Sequence, residues 1–428
     1  MRFFYSLLLL LLLPVALGWL MWRSFKQTGH ADKLGERLGS YPFLPPHQVI
    51  WIHGASVGEI RAAAPLVKSV HQRFPQHPLL VTSFTAAGRA QAQALFGGRA
   101  LVALLPYDLP FCVNRWLKCT SPVIGIIMET EIWPNLFAAC KRRRLPLLMV
   151  SARLSERALK RYRRFHASMR RALNQVAMIA AQSEGDAEYF RHLGVAPEKL
   201  KVTGNLKFDV QFPETLGKDG VTLRSKLFGK ATVIVAGSTR DNEELPLLQA
   251  FQALLLKQPD CVLVLAPRHP ERAAAVAELV KGTGFVCRRR SSGELPVKAG
   301  EVLLLDKLGE LTHFYAAADM AFVGGSLVPL GGHNLLEPAA LSLPVLAGPH
   351  LANVGDIAEL LKAAGGLIVV EDAKALGEAF VWLVTNPGTR KHIGQAAQQT
   401  VTANRGALAR TLELVDSYLA QSRPGELR

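Results

Sequence analysis

Short aliphatic runs recur along this chain at the spacing a parallel sheet requires. From residue 48 onward VIWIH, LLVTSF, VIGIIME, LPLLMVSA and VAMIAAQ each precede an amphipathic stretch. Strands covered on both faces read as continuous apolar runs, so this pattern predicts a parallel sheet flanked by helices. In residues 204–220, GNLKFDVQFPETLGKDG, turn formers and charges interrupt the periodicity as a linker would. A second alternating block then runs through ATVIVAG, CVLVLAPRH, VLLLDKLG, DMAFVGGS and LPVLAGPH. The predicted fold class is α/β, with two doubly wound, Rossmann-like domains in tandem, over 28–210 and 211–428, facing a cleft.

The pattern differs before residue 28. Phe3 to Trp22 is a run of twenty uncharged residues, which as a helix reaches across a hydrocarbon core of about 30 Å. A transmembrane anchor over 1–27 is the expectation. A cleaved signal peptide is the rival, because Ala16 and Gly18 are small, but Trp19, Met21 and Trp22 carry the apolar run past that cut. Arg23, Lys26, Lys33 and Arg37 follow the segment and only Arg2 precedes it, so the body should be cytoplasmic. Five cysteines without a C-x-x-C pair agree with a reducing compartment.

Charge adds a question about partners. The chain of 428 residues has 50 Lys and Arg against 34 Asp and Glu, a formal +16, and its 49% hydrophobic content excludes extended disorder. Residues 141–171 hold twelve of the cations and one acid, Glu156, a local +11. Nucleic acid, an anionic membrane and a phosphorylated substrate all fit that charge. A nucleic-acid surface would interleave stacking aromatics, and this segment has only Tyr162 and Phe165, so no nucleic-acid partner is expected.

In doubly wound sheets ligands bind at the carboxyl ends of the strands, so chemistry is sought in those loops. In HGASVGE, small residues let a substrate approach the backbone and Glu59 is placed to take a proton from a hydroxyl; the alternative is an ordinary first-turn acid. METEIWPN brings Glu129 and Glu131 together, either around a cation or, as preferred here, as polar groups without metal. Lys207, in GNLKFD, could reach a ligand or simply be solvated. In GGSLVPLGGHNLLEP two diglycines precede Asn334, which would cap a helix with Glu337 at its third position. Free amides there suit a phosphate, Glu337 suits ribose hydroxyls, and Arg268 in APRH supplies a cation. G-x-x-x-x-G-K-[ST], G-x-S-x-G and H-E-x-x-H are all absent, which removes P-loop, hydrolase and zincin chemistry from the leading candidates.

Taken in order, HGASVGE, METEIWPN, SARLSER, GNLKFD, PRHPER, GEL with FYAAAD, and FVGGSLVPLGGHNLLEPAALSLPVLAGPH resemble the blocks of the bacterial 3-deoxy-D-manno-octulosonic acid (Kdo) transferases. The resemblance implies a GT-B glycosyltransferase at the cytoplasmic side of the inner membrane. It would transfer Kdo from CMP-Kdo to the glucosamine disaccharide of a lipid A precursor in lipopolysaccharide synthesis. By the same resemblance Glu59 is the general base, and Glu129 and Lys207 stabilise the transition state. Pro267, Arg268, Leu308, Gly309, Glu310, Asn334, Leu335, Leu336 and Glu337 would bind CMP. Gly54 and Leu335 depart from the family pattern, neither at a functional side chain. The implied enzyme inverts the anomeric centre, uses neither metal nor cofactor, and meets an anionic membrane with its basic segment. Another membrane-associated GT-B transferase, using a UDP-sugar and a different lipid, is the alternative.

Overall fold

A computed structural model describes residues 2–26, 34–41, 48–293 and 296–422. The chain forms two compact units, residues 1–209 with 405–428 and residues 210–404. The first carries seven parallel strands: β1 (Ile50–His53), β2 (Leu79–Ser83), β3 (Leu101–Leu104), β4 (Ile124–Met128), β5 (Leu147–Ala152), β6 (Met178–Ala181) and β7 (Leu200–Val202). Their order is β3-β2-β1-β4-β5-β6-β7. The chain winds outward from β1 to β3, then crosses back to lay β4 on the other side of β1. At such a reversal the connections leave toward opposite faces and open a crevice at the strand ends.

Alternate residues of β1 serve the two faces of this sheet. Trp51 packs with Trp116 and Phe137 in one core, while Ile50 and Ile52 join Ile126 and Val150 in the other. The indole lies over Gly125, its register partner on β4. A Cβ at position 125 would come within 2.6 Å of the Trp51 ring and 2.7 Å of Leu147, so the glycine is required by the close approach rather than by a turn.

The second unit repeats the plan with β8 (Thr232–Thr239), β9 (Cys261–Pro267), β10 (Cys287–Arg289), β11 (Val302–Leu304), β12 (Met320–Val323), β13 (Val345–Ala347) and β14 (Leu367–Val369). Their order is β10-β11-β9-β8-β12-β13-β14, again parallel, with the reversal between β8 and β12.

The domain expected over 211–428 loses its last segment to the first unit. Leu408, Leu412, Leu414, Val415 and Leu419 of the helix Ala407–Ser422 are buried in the core that holds Ile50 and Ile126. The Asp209 carboxylate accepts from the amides of Gly406 and Leu408, each at 2.7 Å. One side chain thus joins the point where the chain leaves this unit to the point where it returns. Amphipathic periodicity requires that such a helix find a core but does not name which one.

The N-terminal segment forms the helix Arg2–Lys26. Among the described residues no helix is long and apolar enough to cross a membrane. The side chains of Arg23 and Lys26, residue 27, and Lys33 lie outside the described residues, and with them part of the expected anchor. Two contacts join this region to the body of the first unit. The Asn135 amide donates to the Ser6 hydroxyl at 2.9 Å, holding the first turns against the helix Pro134–Arg142. Arg37, expected among the flanking cations, stacks over Phe84 at 4.8 Å and Tyr107 at 5.6 Å and donates to the Leu105 carbonyl.

Leu414→Ala is expected to cost about 2–4 kcal/mol. In calorimetry of the full chain the loss should fall on the first unit's transition, leaving the second unit's unchanged.

Candidate active site

The strand reversal in the first unit gathers the acidic loops. β1 runs into Gly54 and the helix Val57–Ala62, which carries Glu59. The Ser56 hydroxyl donates to Glu59 Oε1 at 3.1 Å and the Ala55 amide to Oε2 at 2.6 Å. Glu59 therefore does act as a first-turn acid, in a variant of the capping box whose return bond comes from the amide of Ala55, the residue before the N-cap Ser56. Burial nonetheless raises its carboxyl above the ordinary range; the Ala55 amide opposes this and the Glu129 charge adds to it.

Glu129 directly follows β4 at φ 55°, in the left-handed region. A non-glycine residue held there costs about 1–3 kcal/mol, a strain typical of functional sites. Its carboxylate accepts from Lys207 Nζ at 2.9 Å. Lys207 occupies the middle of the short 3-10 turn Leu206–Phe208, whose flanking leucine and phenylalanine are buried. The Asn205 side chain accepts from the Lys207 amide at 2.9 Å, and Ser151 Oγ from the Leu206 amide at 3.2 Å. The turn is thus fixed on both sides, and its ammonium is paired with Glu129.

Glu131 lies in the same loop, and burial together with the charges of Glu59 and Glu129 pushes its carboxyl up to about 7. Three carboxyl groups thus share one neighbourhood, and Glu129 is the one paired with Lys207. This geometry separates two acids that their spacing in the sequence leaves equivalent. Among the described residues no group of three or more His, Cys, Asp or Glu is arranged to hold a metal.

Two supports were not legible in the sequence. Asp108, buried before another helix, accepts from the amides of Asn135 at 3.0 Å and Leu136 at 2.8 Å, capping the helix that follows the acidic loop. It is 27 residues away from its partner. His53, fully buried at the end of β1, meets Thr82 Oγ1 at 2.9 Å, and burial lowers it to about 3, so it is neutral.

In the second unit the proposed CMP-binding residues follow the ends of three strands, β11, β9 and β12, with β8 lying between the last two in the sheet. Pro267 closes β9, and the Arg268 amide donates to the Thr239 carbonyl at 2.9 Å. Gly309 turns at φ 86° between exposed Leu308 and Glu310, which accepts from Arg290 at 2.8 Å. Asn334 Oδ1 accepts from the Leu336 amide at 3.1 Å and its Nδ2 donates to Glu337 at 3.0 Å. The helix there, Leu336–Ala340, starts later than Asn334 capping implied. Burial raises the Glu337 carboxyl. Leu335 and Leu336 are buried, main chain included, and the Leu336 amide is already taken by Asn334.

The glycine-rich loop itself is organised by Glu243, which sequence reasoning missed. This buried carboxylate accepts from the amides of Arg240 at 2.9 Å, Gly325 at 2.6 Å, Ser326 at 2.9 Å and Leu327 at 2.9 Å. The first diglycine wraps an internal anion, so those amides are not available to a phosphate. The N-E-E of GSTRDNEE marks Glu243 only as a helix-start acid.

The family described as 3-Deoxy-D-manno-octulosonic-acid transferase (kdotransferase) matches residues 32–210. The 3-deoxy-D-manno-octulosonic acid transferase of Haemophilus influenzae is 39% identical over 424 residues, 98% of this chain and 99% of that protein. Among solved structures, a glycosyltransferase from Rickettsia africae superposes with a TM-score of 0.54 at 17% identity, covering 87% of this chain and 99% of that one. A UDP-N-acetylglucosamine 2-epimerase from Listeria monocytogenes, described as putative, gives 0.56 at 15% identity, covering 89% and 99%. At such identities the structures establish the fold alone, and a fold common to transferase and epimerase does not decide the reaction.

Two outcomes are expected. The folded chain keeps a proton on Glu131 up to about pH 7 while the unfolded chain releases it near 4.5, so the wild type loses stability as pH rises between those values. Glu131→Gln should leave Tm near that of wild type at about pH 4 and raise it at about pH 8. Glu243→Ala, which orphans several buried amides, should destabilise the second unit by about 3 kcal/mol or more, read as a drop in that unit's calorimetric transition.

Proposed function

Because this chain belongs to the Kdo transferase family of glycosyltransferases, we propose that it transfers Kdo from CMP-Kdo to a hydroxyl on the glucosamine disaccharide of a lipid A precursor. The observation that carries the reading is the Glu59, Glu129, Glu131 and Lys207 constellation at the β1–β4 reversal. In the proposed reaction the acceptor hydroxyl gives its proton to the Glu59 carboxylate while its oxygen bonds to the anomeric carbon. The bond from that carbon to the CMP phosphate oxygen breaks, and the electron pair leaves with CMP. A single displacement of this kind inverts the centre.

A base whose carboxyl is raised by burial is better matched to a hydroxyl proton than an ordinary glutamate. Charge that develops on the sugar ring is stabilised by Glu129, whose position Lys207 fixes. The leaving group carries a single phosphate, and Arg268 with the main chain around Asn334 is proposed to receive it without metal. The long apolar N-terminal run and the exposed cations of the helices Glu156–Arg163 and His166–Leu173 support attachment to the cytoplasmic face of an anionic inner membrane.

Mass spectrometry of the product made from CMP-Kdo and a lipid A precursor tests donor, acceptor and stoichiometry together. Transfer should persist in EDTA and fail with UDP-sugars. Glu59→Ala should lower kcat by about 10²–10⁴ while CMP binding is kept, and wild-type kcat should rise with pH as Glu59 ionises. Transfer from a UDP-sugar alone, or a near-normal rate for Glu59→Ala, would overturn the reading.

A further inference from the structure

The N-terminal helix and the basic helix His166–Leu173 line a cavity of about 490 Å³ that the catalytic groups do not use. Phe4 and Leu8 of the first and Met169 of the second, with Phe165 just before it, form apolar walls, and Arg2 and Arg171 line it with charge. Its size falls in the range of about 300–1,000 Å³ typical of small-ligand pockets. Phe4 is 70% exposed, Leu8 55% and Phe165 54%, an uncovered apolar surface of the kind that marks a binding groove.

The cavity is a built part of the first unit rather than a chance contact of a free tether. Ser6 and Asn135 exchange hydrogen bonds at 2.9 and 3.2 Å, and the Tyr5 hydroxyl bonds to Asp108. Tyr5 and Ser6 are thereby tied to the body of the protein, while Phe4 and Leu8 face the cavity. Asn135 and Asp108 are also the groups that set the start of the helix after the acidic loop. Pro134, on the cavity wall, is three residues beyond Glu131. One wall of the apolar space is therefore the start of the helix that follows the loop of Glu129 and Glu131.

We propose that this cavity takes one acyl chain of the lipid acceptor, with Arg2 and Arg171 facing the phosphate borne by its sugar. The proposal rests on the Kdo-transfer reading for the identity of the acceptor. Apolar walls exclude a polar metabolite, the two guanidinium groups match a phosphorylated lipid, and continuity with the catalytic loop favours the acceptor over a bulk phospholipid. The subsite would make acylation of the acceptor a recognition element, read apart from the sugar.

The test uses the full-length protein in detergent micelles with CMP-Kdo, an acylated phosphorylated glucosamine disaccharide and its deacylated counterpart. Met169→Trp and Leu8→Trp fill the cavity and touch none of the catalytic groups. Both should raise KM for the acylated acceptor about tenfold, since a chain shut out loses several buried methylenes. The KM for CMP-Kdo, kcat, and transfer to the deacylated acceptor should stay as in the wild type. Equal losses on both acceptors, or no loss on either, would overturn the proposal. A second readout needs no donor: the acylated disaccharide carrying a diazirine at its chain end should label peptides containing residues 4–8 or 165–171. Labelling elsewhere, or labelling removed equally well by phosphatidylglycerol, would overturn it too. If labelling is as expected but the wild type transfers nothing from CMP-Kdo, the donor reading fails and the acyl subsite stands.

Discussion

Placing three carboxyl groups at the ends of two neighbouring strands is the constraint around which the first unit is arranged. Half-buried like charges repel strongly, and the structure meets this with one ion pair and incomplete ionisation. Lys207 neutralises Glu129 at 2.9 Å, and Glu131 is raised until it retains its proton near neutrality. Glu59 sits between these extremes, held by the Ala55 amide yet raised by burial. The left-handed backbone at Glu129, the capping box at Glu59 and the buried anchors beside Lys207 are what hold the cluster together against its own repulsion.

The second unit handles a buried acid in the opposite way. Glu243 has no lysine in its hydrogen-bond set and is satisfied by four main-chain amides. Its charge shapes the loop and leaves nothing over for chemistry. Both units thus place an acid at the point where their strand order reverses. In one, Glu59 and Glu131 are raised by burial and neighbouring charge, and in the other four main-chain amides converge on the acid. The difference lies in how many amides can converge on the carboxylate, which the glycines after β12 permit and the loop after β4 does not.

Much of this was legible along the chain. Continuous aliphatic runs such as VIGIIM can only be strands covered on both faces, so the parallel sheets followed from composition and spacing, and the strand-end rule led to Glu59, Glu129 and the diglycine loop. Lys207 was marked as a participant by the family resemblance, but its pairing with Glu129 was not legible, since that partner is 78 positions away. Asp108 and Glu243 carried no local mark, because a carboxylate that caps another segment's amides looks like any surface acid. The first diglycine reads in the sequence as a flexible turn, and in the structure it closes around the Glu243 side chain.

The sequence by itself determined the two α/β layers, the edge where chemistry belongs and the family, because hydrophobic period and loop composition are local and survive without partners. Only the tertiary structure decided which unit receives the last helix, which of two glutamates pairs with the lysine, and which amides are already occupied. Those outcomes depend on distances between segments far apart in the chain, and on how burial and neighbouring charge divide protons among groups that are chemically identical before the chain folds.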